Sequence, residues 1–420
     1  MARSRGANAV AAIKFEITYG TAPTGNFANM PFSDEDLGIE QDLIEDDLLG
    51  NGREPFDPVY DMKKGSGTIT LPVCVRNIGY ALKLMMGAPV TVATVAATAV
   101  LTFTAQPAAA STITLNGTAW TFVATGATGN QVNIGVSLAA TLTALQTALA
   151  GSSETQTVKC TYAATSTTLT VTNKTLGPSG NAYTVAASNT SNASTPYGTL
   201  TGGANSHTFT TGGVNLPSAS IEIGNPEVPS YRMNTGVRGG SLKISLATSG
   251  LLNSVLTVVS QNETPSTTSN AGTPTVLDVL RLTQFSGEVT MDGTQLAEIV
   301  SADDTLDNKL ETIDVIRPDG LIEDADAGVV ANTGQIVTRF ATTTLLDKAT
   351  SATPVALGFT WTGKFGFSLT KTVFRTFLPK AKVPVKGPTG IQITFPFQAS
   401  KDPIEGCVAQ YVLVNDVTGY

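Results

Sequence analysis

Apolar and polar residues alternate with a period of two along many stretches of the chain. In SLKISLA (Ser241–Ala247) and IQITFPF (Ile391–Phe397), every second residue is apolar, which is typical of strands with one buried and one polar face. One stretch, VSLAATLTALQTALAG (136–151), has a helical period instead and ends at a glycine; its leucines lie on one face. The pattern therefore predicts a mainly β protein with few helices.

Charged residues almost vanish in the middle of the chain. The chain has 25 Lys and Arg and 33 Asp and Glu, but residues 93–207 contain only Glu154, Lys159 and Lys174. Inside this segment, Ser111–Ala124 reads as a hairpin with Asn116-Gly117 at the turn. The helical stretch follows, and further strand-like stretches come after it. We expect residues 93–207 to form an inserted small α+β domain of a ββαββ-like type.

The two flanks show the same order of features twice. An acidic segment begins at Ser33 and again at Ser301, a strand follows Gly67 and Gly334, and a short helix comes next, at 76–86 and near 345–349. Later strands also correspond, with GVRGGSLKISLATS set against PVKGPTGIQITFPFQAS. We therefore expect two tandem β domains, the first from 1–92 plus 208–265 and the second from 266–420. The alternative is that all-β chains tend to resemble one another.

The acidic and basic residues of the flanks are separated along the sequence. One acidic segment contains no base, and its acids are Asp34, Glu35, Asp36, Glu40, Asp42, Glu45, Asp46 and Asp47. Between Asp347 and Asp402 the charged residues are all basic and include Lys371, Arg375, Lys380, Lys382 and Lys386. Half-buried strands of this kind leave sheet edges open, and two joined units that pair edge to edge with other chains would bury these edges in a closed ring. Because opposite charges steer and orient association, we expect the acidic segment to be a docking loop between successive rings, with this basic stretch as its complement.

Two other interpretations of the acidic segment stay open. Asp34, Asp36 and Gly38 give only part of the D-x-D-x-D-G pattern of a calcium loop. A simple solvated loop is the usual explanation of a run of charge. Leu and Ile residues within the segment favour packing against a partner.

Composition argues against several classes of function. The net charge of −8 does not suit a protein that binds nucleic acid through its phosphates. The single histidine, His207, cannot supply a triad or a His-based zinc site, and Asp303-Asp304 and Asp324/Asp326 are expected in solvated loops. Three distant cysteines suggest no metal motif. Leu84–Leu115 is uncharged, but its prolines and threonines favour strands and turns over a membrane span. We predict no enzyme activity, no cofactor, no metal and no membrane insertion.

With these residues in view, the chain resembles the tail tube proteins of long, non-contractile-tailed bacteriophages. Four stretches carry the resemblance: LGIEQDLIEDDLLGNGREPFDPV (37–59), IGYALKLMMGAP (78–89), LPSASIEIGNPEVPSYRMNTGVRG (216–239) and KGPTGIQITFPFQASKDPIEGCVAQYVLVNDV (386–417). It covers nearly all of 10–92 and 206–420, and the inserted domain looks like the decoration domains of phage virion proteins. The resemblance implies two tail-tube-type β-sandwich or barrel domains, each with a flanking short helix.

The resemblance also implies a role. The chain would be a structural virion protein, made in the host cytoplasm, that self-assembles into stacked rings through which double-stranded DNA passes without specific binding. A doubled chain favours trimeric, pseudo-sixfold rings, with hexameric rings as the alternative. Tape measure, tail terminator and distal tail proteins would be its partners. A secreted or cell-surface β-domain adhesin, and a capsid decoration or head-tail joining protein, are the other functions we consider.

Overall fold

The computed structural model describes residues 3–45, 48–49, 53–190, 192–385 and 390–420. Alternating sequence becomes alternating burial: strand Ser230–Leu246 buries Leu242, Ile244 and Leu246 and leaves Lys243 and Ser245 exposed. Two β repeats share one hydrophobic core. The segment inserted into the first repeat has a core of its own, built from residues between Ala97 and Leu200. The prediction of a mainly β fold is confirmed.

Apart from its last strand, the described part of the first repeat contains ten strands and the helix α1 (Ile78–Met86), if the two strands that lead into and out of the insertion are counted with it. These strands are β1 (Val10–Phe15), β2 (Ala28–Asn29), β3 (Asp34–Glu35), β4 (Gly38–Ile44), β5 (Val59–Pro72), β6 (Val90–Phe103), β14 (Ala204–Thr210), β15 (Ala219–Asn225), β16 (Ser230–Leu246) and β17 (Asn253–Ser260). A last strand, β18 (Asn262–Ser266), pairs with the first half of β16.

The inserted domain contains the helix α2 (Leu138–Ala150). Its strands are β7 (Thr112–Leu115), β8 (Thr118–Val123), β9 (Gln131–Asn133), β10 (Cys160–Ala164), β11 (Thr168–Leu176), β12 (Val185–Ala187) and β13 (Ala193–Ser194). The predicted hairpin is the β7–β8 pair, and both residues of its turn have positive φ, 45° at Asn116 and 91° at Gly117. The predicted helix begins at Ser137, whose hydroxyl accepts a hydrogen bond from the Ala140 amide at 3.2 Å.

The described part of the second repeat contains ten strands and the helix α3 (Thr344–Ser351). The strands are β19 (Gly287–Met291), β20 (Thr294–Gln295), β21 (Ile299–Asp307), β22 (Leu310–Ile313), β23 (Asp324–Ala327), β24 (Ala331–Arg339), β25 (Val355–Thr362), β26 (Ser368–Phe377), β27 (Gln392–Ala399) and β28 (Ala409–Asn415).

Strand pairing shows the duplication directly, because six pairings of the first repeat recur in the second. The pairs β1–β15, β4–β5, β5–β17, β15–β16, β16–β17 and β16–β18 have the counterparts β19–β25, β21–β24, β24–β27, β25–β26, β26–β27 and β26–β28. With the stem strands β6 and β14 set aside, the short helix stands between β5 and β15 in the first repeat and between their counterparts β24 and β25 in the second. The two halves are therefore two copies of one fold.

The pairing corrects one of the predicted correspondences. GVRGGSLKISLATS lies largely in β16, whose counterpart is β26, whereas IQITFPFQAS forms β27, the counterpart of β17. The predicted comparison was therefore one strand out of step. The cause is β25, with Val355, Leu357, Phe359 and Trp361 all buried, which the sequence analysis did not assign as a strand. The glycines do correspond, because Gly67 pairs with Val258 and Gly334 with Phe397.

A stem of two strands connects the insertion to the repeats. Residues Val90–Val95 of β6 pair with β14, and the rest of β6 continues into the inserted domain, where it pairs with β11. The predicted limits of 93–207 thus fall inside two continuous strands. On its other side, β14 pairs with β28 of the second repeat, so the inserted domain is attached beside β28.

Candidate assembly interface

One sheet runs without a break through both repeats. Its strand order is β4-β5-β17-β16 from the first repeat and then β21-β24-β27-β26 from the second. The join is the pairing of β16 with β21, in which Ser241 lies opposite Asp307 and Leu246 opposite Ala302. Each repeat therefore contributes four strands to a single sheet, which we call the common sheet.

The chain forms this join once within the described residues, although the duplication provides the strands for a second join of the same kind. In the join, the C-terminal half of β16 pairs with β21; their counterparts are the segment after β26 and strands β3–β4. Within the described residues, β4 pairs only with β5, and Leu43 and Ile44 at its end are 55% and 51% exposed. At the other end of the sheet, β26 stops at Phe377 and residues 378–385 form no strand. Both ends of the common sheet are thus open edges.

Close packing against the segment from Asp34 in the first repeat and against β21 in the second requires glycine at the same place in both repeats. A Cβ at Gly67 would stand 2.4 Å from the Cα of Leu37, and one at Gly334 would stand 2.1 Å from the carbonyl oxygen of Asp303. Both distances are too short for any side chain. This shared steric requirement supports the assignment of the segment from Asp34 as the counterpart of β21.

The predicted acidic loop is therefore largely a strand. Asp34 and Glu35 form β3, and Glu40 and Asp42 lie in β4. The Glu35 carboxylate accepts a hydrogen bond from the Arg232 guanidinium at 2.8 Å, and Asp36 accepts from the Thr68 amide and hydroxyl. Strand geometry and these partners leave no calcium loop around Asp34 and Asp36.

The outer acids of the same segment remain at the surface. Asp42 pairs with Lys64 at 2.8 Å, with both side chains about two-thirds exposed, and this hydrogen bond raises the pKa of Lys64. Such a pair contributes little to stability in water. Glu40 and Glu45 are exposed. Asp46 and Asp47 lie outside the described residues.

The predicted basic stretch divides into buried and exposed members. The prediction that Lys371 is a docking residue is wrong. Lys371 is 1% exposed and pairs with the carboxylate of Asp304, which is itself 3% exposed. Burial lowers the pKa of Lys371 and the Asp304 charge opposes that effect. Its position could have been read from the sequence, because Leu369, Lys371 and Val373 share one parity and all face the core.

The other basic residues lie toward the open end of the sheet. The Arg375 guanidinium lies over the Phe377 ring at 5.5 Å. Lys380 and Lys382 are exposed, and Lys386 lies outside the described residues. Lys380 and Lys382 are thus the exposed bases among these described residues at the end of the sheet.

The acidic pairs that could imitate hydrolase carboxylates are structural. Asp303 and Asp304 lie in β21 and not in the predicted solvated loop, and Asn332 donates to Asp304 at 2.6 Å. Asp324 lies in β23 and pairs with Arg238 at 3.0 Å. Asp303 and Asp304 face opposite sides of β21. Asp324 connects the second repeat to Arg238 of the first repeat. Among the described residues, no group of three or more His, Cys, Asp or Glu side chains is placed to hold a metal ion.

His207 has a structural environment in the stem of the insertion. The ring is buried and has three polar neighbours: the Thr91 hydroxyl at 2.8 Å, the Asn415 side-chain oxygen at 3.2 Å and the Val417 carbonyl oxygen at 3.1 Å. Burial lowers its pKa. The ring therefore joins β6, β14 and the residues after β28.

The face of the common sheet that points away from the core is polar. Its threonines, serines and glutamines include Thr68, Thr257, Thr305, Gln335 and Gln398, which lie on neighbouring strands. The described charged residues of this face include the acids Asp34, Asp36, Glu40, Asp303 and Asp307 and the bases Lys64, Lys243 and Arg339. We call this surface the open face.

These features define a class of protein: a doubled β unit with a sheet that runs through both copies and ends in two edges that have no strand partner among the described residues. A family model described as phage tail tube protein matches residues 6–226 and again 180–399. The chain belongs to the phage tail tube protein family, which is a structural family of the virion. A search of curated proteins gave no match. Among the described residues, no helix is long and apolar enough to cross a membrane.

Proposed function

We propose that the chain is the major tail tube subunit of a long, non-contractile phage tail, and that three chains close into a ring of six β units. The observation that carries this proposal is the join between β16 and β21. It shows how one β unit adds its edge to the next, and the two open edges of the chain are the counterparts of the strands that make this join. Repeating the same step between chains leaves no edge unpaired.

The ring size follows from the doubling. If one β unit meets the next in the same way throughout, a ring of six units needs three chains and has pseudo-sixfold symmetry. Six chains per ring would give twelve units and remains the alternative. Threefold symmetry is favoured because the family resemblance implies rings of six single units in most relatives.

The common sheet is the best candidate for the wall of the lumen. Eight strands per chain would give about 24 strands in a trimer, and at about 4.8 Å between strands the wall would be roughly 37 Å across at the backbone before any tilt. Tilted strands widen a barrel further. Such a wall leaves an open channel with the open face turned inward.

The charge of the open face suits the passage of DNA. Acids outnumber bases on its described strands, where Lys64 lies opposite Glu40 and Lys243 has Asp303 and Asp307 on its diagonals. A basic lining would retain the duplex by displacing its counterions. A neutral or acidic lining lets double-stranded DNA slide during ejection without specific binding.

The inserted domain and the end of the β4–β5 hairpin also suit a tube, one as a projection on its outer surface and the other as a contact between rings. The stem of the inserted domain pairs with β28, and β28 pairs with the first part of β26, whereas only the end of β26 pairs with β27 of the common sheet. This separation from the common sheet would place the inserted domain outside the tube. Exposed apolar side chains near the end of the β4–β5 hairpin, Leu43, Ile44 and Tyr60, would contact the next ring. Tape measure, tail terminator and distal tail proteins would complete the tail.

The test is microscopy of the purified protein with and without the inserted domain. Ala204 pairs with Val95 across the stem, so Asn-Gly in place of residues 96–203 would close the stem as a two-residue hairpin. We expect rings or tubes from both proteins, with a thinner outline for the shortened one. Separate particles from the full chain at high concentration would contradict the proposal and would favour an adhesin or a decoration protein.

A further inference from the structure

The join between the repeats provides a register for the contact between chains. In the join, Ser241 lies opposite Asp307, Lys243 opposite Thr305 and Ser245 opposite Asp303. These side chains belong to the open face. Lys243 thus stands between two acids on the neighbouring strand, each one diagonal position away.

The counterparts of these residues can be counted from paired anchors. Val259 and Gln398 are counterparts, because the residues before them pair with the equivalent glycines Gly67 and Gly334. Arg238 lies opposite Val259 and Phe377 lies opposite Gln398, so Phe377 is the counterpart of Arg238. Counting onward makes Lys380 the counterpart of Ser241 and Lys382 that of Lys243. On the partner strand, Gly67 and Gly334 are the anchors, and they make Asp36 and Glu40 the counterparts of Asp303 and Asp307.

We propose that residues 380–383 become a strand when chains assemble, and that this strand pairs with β4 and the residue before it in a second copy of this chain. Lys380 then lies opposite Glu40, and Lys382 lies opposite Gly38 with Glu40 and Asp36 on its two diagonals. The proposal rests on the ring of the proposed function and specifies its contact. The acidic and basic segments that the sequence assigned to successive rings thus meet inside one ring.

The unassembled chain already has the side-chain pattern of that strand. Lys380 and Lys382 are exposed, while Ala381 and Val383 are half-buried and pack against the shared core. The prolines that bound the segment fit the register as well. Pro379 is the counterpart of Gly240, where β16 has a bulge against β17, and a bulge tolerates proline. Pro384 ends the pairing, since it has no amide hydrogen to donate.

Cysteine cross-linking tests the register. Lys380→Cys with Glu40→Cys should give disulfide-linked dimers and trimers in assembled rings, because directly opposite side chains on one face come close together. Lys380→Cys with Gln41→Cys is the control, since Gln41 points to the other face of the strand. Cys74, Cys160 and Cys407 are buried and should not react.

The outcomes separate this inference from the proposed function. Rings that form but cross-link equally in both variants, or in neither, overturn the register and leave the ring intact. An unmodified chain that forms no rings at all overturns both. Cross-linking confined to the Lys380–Glu40 variant, and abolished by a reductant, supports the register.

A charge exchange gives a second, independent readout. Lys380→Glu or Glu40→Lys alone places like charges opposite each other and should raise the concentration needed for assembly about fivefold per junction. The double variant restores an opposite pair at every junction and should assemble close to the unmodified chain. Lys174→Glu, in the inserted domain, changes the net charge equally and should have no effect. A double variant no better than its singles would overturn the pairing.

Discussion

The ion pair of Lys371 and Asp304 lies in the core of the second repeat, where both side chains are almost fully excluded from solvent. In the first repeat, the position of Asp304 is held by Leu37, which is fully buried, and that of Lys371 by Arg232, which reaches the Leu37 carbonyl oxygen and Glu35 nearer the surface. The same fold thus accepts an apolar residue in the first repeat at the position where the second repeat holds a charged residue. This comparison makes the pair a direct test of the structure.

Removing one partner should be far more harmful than removing both. Asp304→Leu leaves a buried ammonium without its carboxylate, and Lys371→Met leaves a buried carboxylate with only the Asn332 amide as its partner. Either change should cost about 3–5 kcal/mol of unfolding free energy, whereas an apolar replacement of both residues is often nearly neutral. At roughly 2 °C per kcal/mol for a unit of this size, each single variant should melt roughly 6–10 °C lower.

Differential scanning calorimetry of the two single variants and the double variant provides the measurement. The double variant should melt within about 2 °C of the unmodified chain. Losses that simply add in the double variant, or single variants with unchanged melting temperatures, would refute the buried pair. Lys348→Met, which removes a surface pair with Asp292 at 3.5 Å, is the matched control and should have little effect.

Three further outcomes follow from the described contacts. Because burial lowers the pKa of His207, the unfolded chain binds its proton more readily, so stability should be complete above about pH 6.5 and fall as the pH drops toward the lowered value; His207→Asn should remove this loss in a melting-temperature series. Arg76→Met removes hydrogen bonds to Asp416 at 2.6 and 2.7 Å and should cost roughly 1–3 kcal/mol by denaturant titration, and an unchanged midpoint would contradict it. Gly67→Ala should destabilise the chain and weaken assembly together, as judged by melting and by microscopy, since a Cβ there collides with Leu37.

Much of the fold could be predicted from local pattern. The helix at 138–150 and the turn at Asn116-Gly117 are specified by spacing, capping and backbone freedom, and their signals lie within a few residues. The order of an acidic segment, a strand that follows a glycine and a short helix was visible in both flanks. These features depend on near neighbours, so the sequence specifies them directly.

The rest depends on partners that are distant in the chain. The pairing of β16 with β21 joins residues about sixty positions apart, and no local pattern selects one edge strand as the partner of another. The acidic segment was interpreted as a loop because its charges conceal the strand formed by pairing with β5. Lys371 was interpreted as a surface base, although its buried parity was the available signal. The charge of a residue was thus a weaker guide to its burial than the alternation of apolar residues around it.

The most direct test of the ring is electron microscopy of the assembled tube with its symmetry left free during reconstruction. The proposed structure predicts three chains per ring, six similar lobes, a wall of eight strands from each chain and a lumen lined by the open face. Six chains per ring, or a lumen lined by the sheet that contains β28, would contradict it.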